Sequence, residues 1–164
     1  MTHIRPATLP DMQAVNDIYN HYVHHTAITF DEQPWPLQQR HTWFEKFADG
    51  PYQLLVCEHN DQVVGFAYTS DFRPKTAYNR SAEVTVYTNQ QLAPKGAGSK
   101  LYKALITRAE QHFHRLYAII ALPNPGSLGL HAKLGFKEIG QLNEVGYKFG
   151  AYHSVALLEK RLDS

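Results

Sequence analysis

The chain has 164 residues, 43% of them hydrophobic and 19% charged, a composition that excludes a disordered protein and suits one domain with an ordinary core. Sixteen Lys and Arg against fifteen Asp and Glu give a formal net charge of +1, without the basic footprint of a nucleic-acid binder. No run approaches the ~20 apolar residues needed to span a bilayer. Nor does the opening MTHIRPATLP carry the apolar stretch of a signal peptide. The expectation is a soluble, cytoplasmic protein with no membrane partner.

Ile4 to Pro6 reads as a short first strand. Thr8-Leu9-Pro10-Asp11 is a helix start, with a threonine cap, an early proline and an acid three residues on. Met12, Val15, Ile18 and Tyr19 then recur at helical spacing. An irregular link from His25 to Pro36 precedes a second helix, Leu37 to Phe47. Gln53 to Cys57 and Val63 to Tyr68 read as a hairpin turning at His59-Asn60-Asp61. Cys57 stands alone, so no internal disulfide forms; a buried, inert thiol fits its apolar run. After the loop DFRPKTAYNR, Ser81 to Tyr87 alternates, with Ala82, Val84 and Val86 on one face and Glu83, Thr85 and Tyr87 on a polar one. A glycine-bearing loop leads into a helix from Ser99 to Gln111, with Leu101, Leu105 and Ala109 on its buried stripe. Tyr117 to Leu122 is a central-type strand, and Ser127 to Leu134 a short helix ended by Gly135. Phe136 to Leu142 and His153 to Leu158 close the chain as strands. Helices and strands alternate through a mixed sheet, giving a single α/β (α+β) domain over residues 1–164.

Ten histidines raise the question of a metal. His21, His24 and His25 sit near the end of one helix, and His112 and His114 at the end of another. There is no HExxH and no pair of cysteine ligands, so no metal is expected. The glycine loop is more informative. A strand, a short loop with Gly96 and Gly98, and a helix form an anion site, because the first helical N–H groups lack partners and the helix dipole adds partial positive charge. Lys95 adds a full one. The loop is neither G-x-G-x-x-G nor a P-loop, and a plain helix start reads the same glycines equally well.

Context decides between these. The order of strand, glycine loop, helix, strand, Asn124-x-x-Ser127, helix and Leu134-Gly135-Phe136 resembles the GNAT family of N-acetyltransferases. IRPATLPDMQAVNDIYNHY, AYNRSAEVTVY, ALPNPGSLGLHAKLGF and GYKFGAYHSV are similar to its phosphinothricin and methionine sulfoximine acetyltransferase branch, from about Ile4 to Leu158. That resemblance implies a central, mostly antiparallel mixed sheet flanked by helices, acetyl-CoA as cosubstrate, and a homodimer with pockets near its interface. It implies that Val86, Tyr87 and Thr88 pair through backbone with the pantetheine arm. It further implies that Pro94, Lys95, Gly96, Ala97, Gly98 and Ser99 wrap the pyrophosphate, and that Asn124 and Ser127 contact the cofactor near its thiol. Glu83 matches the family's proposed base, whereas its position alone marks only a polar residue on a sheet face. His131 stands where many relatives have a tyrosine proton donor; acid, proton relay and positioning residue all remain open for it. Phe30, Arg73, Lys75, Thr76, Tyr78 and Asn79 match acceptor-binding positions, and a basic loop there suits an amino acid carrying a carboxylate and a second acidic or oxo group. One departure stands out. The family's Arg/Gln-x-x-Gly-x-Gly has Ala93 at its first position here. That favours a contrasting reading, a non-catalytic acyl-CoA-binding module, while Glu83 and His131 speak against it.

The implied reaction is acetylation of the α-amine of a small amino acid or analogue, by direct attack in a ternary complex; a peptide N-terminus is the alternative acceptor. A glutamate at its reference pKa of ~4.3 lies ~3.5 units below an α-amine of pKa ~8, so direct abstraction is uphill by roughly 5 kcal/mol. Selecting the ~10% of that amine already neutral at pH 7 costs only ~1.4 kcal/mol. Glu83 is therefore expected to work through water or with a pKa raised by burial.

Overall fold

A computed structural model describes residues 1–163. Its strands are β1 (Thr2–Pro6), β2 (Leu54–His59), β3 (Gln62–Asp71), β4 (Ser81–Thr88), β5 (Arg115–Ala121), β6 (Lys137–Lys148) and β7 (Ala151–Arg161). Its α-helices are α1 (Met12–His25), α2 (Leu37–Phe44), α3 (Ala97–Ala109) and α4 (Pro125–Lys133). One seven-stranded sheet runs β1-β2-β3-β4-β5-β7-β6, antiparallel at every step except β4–β5, which is parallel. The mixed, mostly antiparallel sheet flanked by helices is the architecture expected from the sequence.

Both faces of the sheet are covered, so strand residues of both parities are buried. Leu55, Cys57, Val64, Ala82, Val84 and Leu116 pack beneath Leu101, Leu105 and Ala109 of α3. On the other face, Leu54, Val56 and Phe66 meet Met12, Val15, Ile18, Tyr19 and Tyr22 of α1. This explains the unbroken apolar run LLVC in β2: alternate side chains enter different cores. It also corrects one expectation. The Glu83-Thr85-Tyr87 face of β4 is not an open polar surface, for Tyr87 packs on Tyr19, Tyr22 and Phe66 with ring centroids 5.0–5.5 Å apart.

Element ends follow local chemistry. Before α1, Leu9–Asp11 makes a 3-10 turn. The Asp11 carboxylate accepts from the Thr8 N–H at 2.7 Å and hydroxyl at 3.0 Å, and is forked by Arg5 at 2.7 and 3.0 Å. The second helix is α-helical only to Phe44 and finishes as a 3-10 turn, Glu45–Phe47. α3 starts two residues before its expected start, since Gly96 takes the left-handed cap conformation at φ +87° and Gly98 is already helical. α4 also starts two residues early, because Asn124 is its cap and Pro125 its first residue. The last two strands are much longer than expected. They meet at Phe149 and Gly150, both at positive φ, and their pairing is interrupted between Leu142 and Gly146, which breaks the alternation that marks a strand in sequence.

Candidate active site

The site begins where the sheet comes apart. β4 and β5 pair only at Ser81–Glu83 with Arg115–Tyr117. Beyond Glu83 they diverge, while β3 stays on β4 to Thr88 and β7 stays on β5 to Ala121. The β5-facing backbone groups of Val84 to Thr88 therefore have no strand opposite them. A cavity of about 250 Å³ fills the gap, lined by β4 from Val84 to Thr88, by Ile119 to Ala121 of β5, and by Asn124, Ser127 and His131 from the cap and body of α4. Such an edge accepts an extended chain carrying amides, much as a sheet edge accepts a peptide.

One end of the gap meets the start of α3, where Gly98 also lines the cavity. The Ala97 N–H bonds the Pro94 carbonyl at 3.1 Å, and the Lys100 N–H bonds Gly96 at 3.0 Å. Among the described residues, the N–H groups of Gly96, Gly98 and Ser99 find no backbone acceptor. The first turn of α3 holds no acidic residue, and Lys95 is exposed beside it. Open donors, dipole and lysine together are of the kind that suits a phosphate-type anion. Ala93 is half-buried, packed against the α3-side core, with its N–H on Asn89 O at 2.8 Å.

His131 lies at the other side of the gap, only 2% exposed. Its Nδ1 is 2.7 Å from the Ser127 carbonyl oxygen, which can only accept, so Nδ1 carries a proton. Its Nε2 is 2.8 Å from the hydroxyl of Tyr102, a fully buried residue of α3. Burial pushes the His131 pKa below the ordinary histidine value, against the opposing pull of the Ser127 carbonyl. The neutral ring thus donates from Nδ1 and accepts the Tyr102 O–H at Nε2. Burial holds the Tyr102 phenol far above its usual pKa, so it stays protonated as the donor. Ser127 N–H is taken by the cap oxygen of Asn124 at 3.2 Å.

Glu83 sits at the closed end of the gap, half-buried, on the face shared with Thr85 and Tyr87. Burial raises its pKa above the usual carboxylate value; Arg73 pulls it down and Asp71 pushes it up. Arg73 is thereby within electrostatic reach of Glu83. Its guanidinium lies over the Phe72 ring at 4.3 Å, and Phe72 packs on Tyr117 at 4.5 Å.

The expected site residues are only partly brought together: Glu83 in β4, and Pro94, Lys95, Gly96, Ala97 and Ser99 at the start of α3, adjoin the gap without lining its cavity. Val86, Tyr87, Thr88, Gly98, Asn124, Ser127 and His131 share one cavity. Arg73, Lys75, Thr76, Tyr78 and Asn79 lie on an exposed loop and 3-10 turn outside its lining. Phe30 is half-buried elsewhere, over Gly146 and 6.2 Å from the His153 ring. Tyr22, Ile28 and Tyr102 were not expected. Tyr22 lines the cavity and donates to the Thr88 carbonyl at 2.6 Å, and Ile28 lines it from the α1–α2 link. No sequence spacing relates residue 22 to 88 or 102 to 131, so only the fold reveals these pairs. Among the described residues, no three His, Cys, Asp or Glu side chains gather as metal ligands, and no helix is long and apolar enough to cross a membrane.

Comparison with known proteins gives a consistent result. The acetyltransferase (GNAT) domain family matches residues 4–156. The chain is 42% identical over 163 residues to the phosphinothricin N-acetyltransferase of Streptomyces coelicolor, covering 97% of this chain and 95% of that one. It is 36% identical over 162 residues to the L-methionine sulfoximine/L-methionine sulfone acetyltransferase of Pseudomonas aeruginosa, covering 98% and 94%. Its fold superposes at a TM-score of 0.95 on a putative acetyltransferase from Salmonella typhimurium solved with its cofactor acetyl-CoA, at 34% identity and covering 99% and 95%.

Proposed function

The chain belongs to the GNAT family of acetyl-CoA-dependent N-acetyltransferases, and from that premise we propose that its acceptor is the α-amine of a small amino acid analogue of the phosphinothricin or methionine sulfoximine/sulfone type. The observation that carries the reading is the gap between β4 and β5, closed at one end by Glu83 and open at the other to the unpaired N–H groups of α3. Two relatives matched over nearly the whole chain bear those substrate names.

The residues fit acetyl-CoA. Open donors at Gly96, Gly98 and Ser99, beside Lys95, suit a pyrophosphate; the free edge of Val86 to Thr88 suits the amides of a pantetheine arm; Asn124 and Ser127 line the cavity beyond it. Bound there, acetyl-CoA supplies an activated acetyl group. The protein's own work is then to hold the acceptor amine, neutral, at the closed end of the gap. Glu83 receives the amine's proton, directly or through water. Its raised pKa narrows the uphill gap to an amine, which supports a base role over a solvated surface carboxylate. Arg73, Lys75 and Tyr78 supply charge and hydrogen-bond donors for the acceptor's acidic groups. His131, with both ring nitrogens engaged, fits a positioning role that fixes the Asn124–Ser127 turn against α3. Most of the rate gain comes from alignment.

Free-thiol release from acetyl-CoA tests the reading, measured over phosphinothricin, methionine sulfoximine, methionine sulfone and a tripeptide. The expected result is release with at least one of the three analogues. Release with the tripeptide alone would move the acceptor to a peptide N-terminus. Tight CoA binding with no release from any amine would leave only a binding module.

A further inference from the structure

We propose that the Phe72 and Tyr117 rings form a bridge across β4 that shuts water away from Glu83, which makes both of them positioning residues for the base. This rests on the base role given to Glu83 above. The sheet register places the parts. Ser70 of β3 and Tyr117 of β5 stand directly opposite Glu83 on its two sides, so the three side chains share one face. Phe72, two residues beyond Ser70, comes back to that face: its ring meets the Tyr117 ring at 4.5 Å, with the planes 32° apart. β3 and β5 are not neighbours, because β4 runs between them. The ring contact therefore passes over β4, beside Glu83, at the end of the gap where β4 and β5 still pair.

The loop holds its half of the bridge. Residues 73–80 are all exposed, whereas Phe72 is half-buried. Tyr78 packs on the Phe72 ring at 5.8 Å. Arg73 lies over that ring at 4.3 Å, and its Nη1 donates to the Phe72 carbonyl at 2.8 Å. Glu83 itself depends on its surroundings. Among the described residues it joins no ion pair, and burial, not a hydrogen bond, is the first cause of its raised pKa. The charges around it are opposed or already paired. Asp71 from β3 pushes the pKa up, and Arg73 from the loop pulls it down. Tyr68 of β3 and Tyr102 of α3 lie within electrostatic reach, but burial raises both phenols and keeps them neutral. Arg115 of β5 and Glu159 of β7 pair with each other at 3.6 Å. Exclusion of water is then the main control on this base, and the bridge is the part of the wall that comes from a loop. Cutting Phe72 back to a methyl lets water reach the carboxylate, favours its charged form and lowers its pKa. It also takes away the perch of Arg73, and losing a nearby cation raises a carboxylate pKa. The two effects have opposite signs, so a test of the bridge has to remove the charge first.

Carbon-13 NMR of the glutamate carboxyl groups follows the titration in the free protein, without turnover, and loss of a signal in Glu83→Gln assigns it. Arg73→Gln is compared with the double variant Arg73→Gln/Phe72→Ala, so that only the ring differs. The Glu83 titration is expected to move to lower pH in the double variant, and to stay in place in Arg73→Gln/Phe72→Tyr, which keeps a ring. Tyr117→Ala in the same Arg73→Gln background removes the bridge from its β5 side and is expected to move the titration in the same direction. Phe72 belongs to neither core cluster, so its removal should leave the melting temperature nearly unchanged. With methionine sulfone as acceptor, the acid limb of kcat should follow the NMR titration. The plateau of kcat should fall about threefold or more, because a weaker base takes the proton less readily, while the acetyl-CoA KM moves less than about twofold. A Glu83 titration that stays in place in both alanine variants overturns the bridge, and so does an equal downward shift with tyrosine at 72. A titration that moves while the acid limb of kcat does not leaves the bridge standing and rejects Glu83 as the base.

Discussion

At the scale of single residues, the site divides into groups that carry charge chemistry and groups that hold them. Glu83, as the proposed base, belongs to the first. Removing its carboxylate as Glu83→Gln should lower kcat about 100-fold, within the range for a general base, and leave the CoA dissociation constant unchanged, since Glu83 lies at the far end of the gap from α3. A base must be unprotonated to act, and burial raises this one. Activity should therefore fall as pH drops through a value above that of an ordinary glutamate, and the Gln variant should lose that limb; a limb that persists in the variant assigns it to another group. His131 belongs to the second. Nitrogen-15 NMR at pH 7 should show it neutral with the proton on Nδ1, as the Ser127 carbonyl requires. An imidazolium signal, or a proton on Nε2, would sink that assignment. Tyr102→Phe leaves the buried Nε2 without its donor and should cost about 1–3 kcal/mol of stability by chemical denaturation. The sequence offers Glu83 and His131 as candidates only through the family resemblance; by its position alone Glu83 reads as a polar residue on a sheet face. It concealed Tyr102, because a tyrosine on a helix beside Leu101 reads as core, and nothing local says that its hydroxyl meets a histidine 29 positions on.

At the scale of elements, the glycine pair reads in sequence as a candidate anion site, but the two glycines take different backbone positions that spacing alone does not separate. Gly96 is the left-handed cap at φ +87°, with open space where a Cβ would be. Gly98 is helical, lines the cavity, and a Cβ there would touch only the Thr88 methyl at 3.5 Å. Gly96→Ala should therefore cost stability, about 1–2 kcal/mol for an L-residue in that conformation, and weaken CoA only as far as the cap shifts. Gly98→Val should do the reverse: it fits the fold and intrudes on the groove, raising the CoA dissociation constant about tenfold or more with a nearly unchanged melting temperature. Calorimetry and thermal melts on the two proteins separate these outcomes, and equal losses from both would mean that the loop acts as one unit. Ala93 belongs to the same element. Because its side chain packs into the α3-side core, Ala93→Gln must first pull away from apolar neighbours before reaching any phosphate. The polar face expected for β4 failed for a related reason: alternation shows which residues share a face, and cannot show that α1 covers it.

At the scale of the whole molecule, the feature that sequence reading shortened most is also the most exposed. The pattern QLNEVGYKFGAY breaks period-two alternation at the irregularity between Leu142 and Gly146, so the hairpin is truncated at both inner ends when read from sequence alone. Among the described residues, six of the eleven exposed large hydrophobics lie on this hairpin: Ile139, Leu142, Val145, Tyr147, Phe149 and Tyr152. β6 is also the edge of the sheet, with one row of backbone groups unpaired. An apolar edge of this kind suits the homodimer implied by the family resemblance better than a surface left in water. Sedimentation of the wild type at micromolar concentration is expected to give a dimer, and Val145→Glu with Tyr147→Lys a monomer of unchanged melting temperature; a monomeric wild type rejects the dimer outright. The same hairpin carries Gly146, which lies under the Phe30 ring, and Lys148, whose Nζ donates to the Thr29 carbonyl at 2.9 Å. Covering its outer side should then steady these contacts on its inner side. Dilution through the dimer dissociation constant is then expected to raise amide exchange across residues 28–31. Exchange independent of protein concentration across that range would show that the two sides of the hairpin act separately.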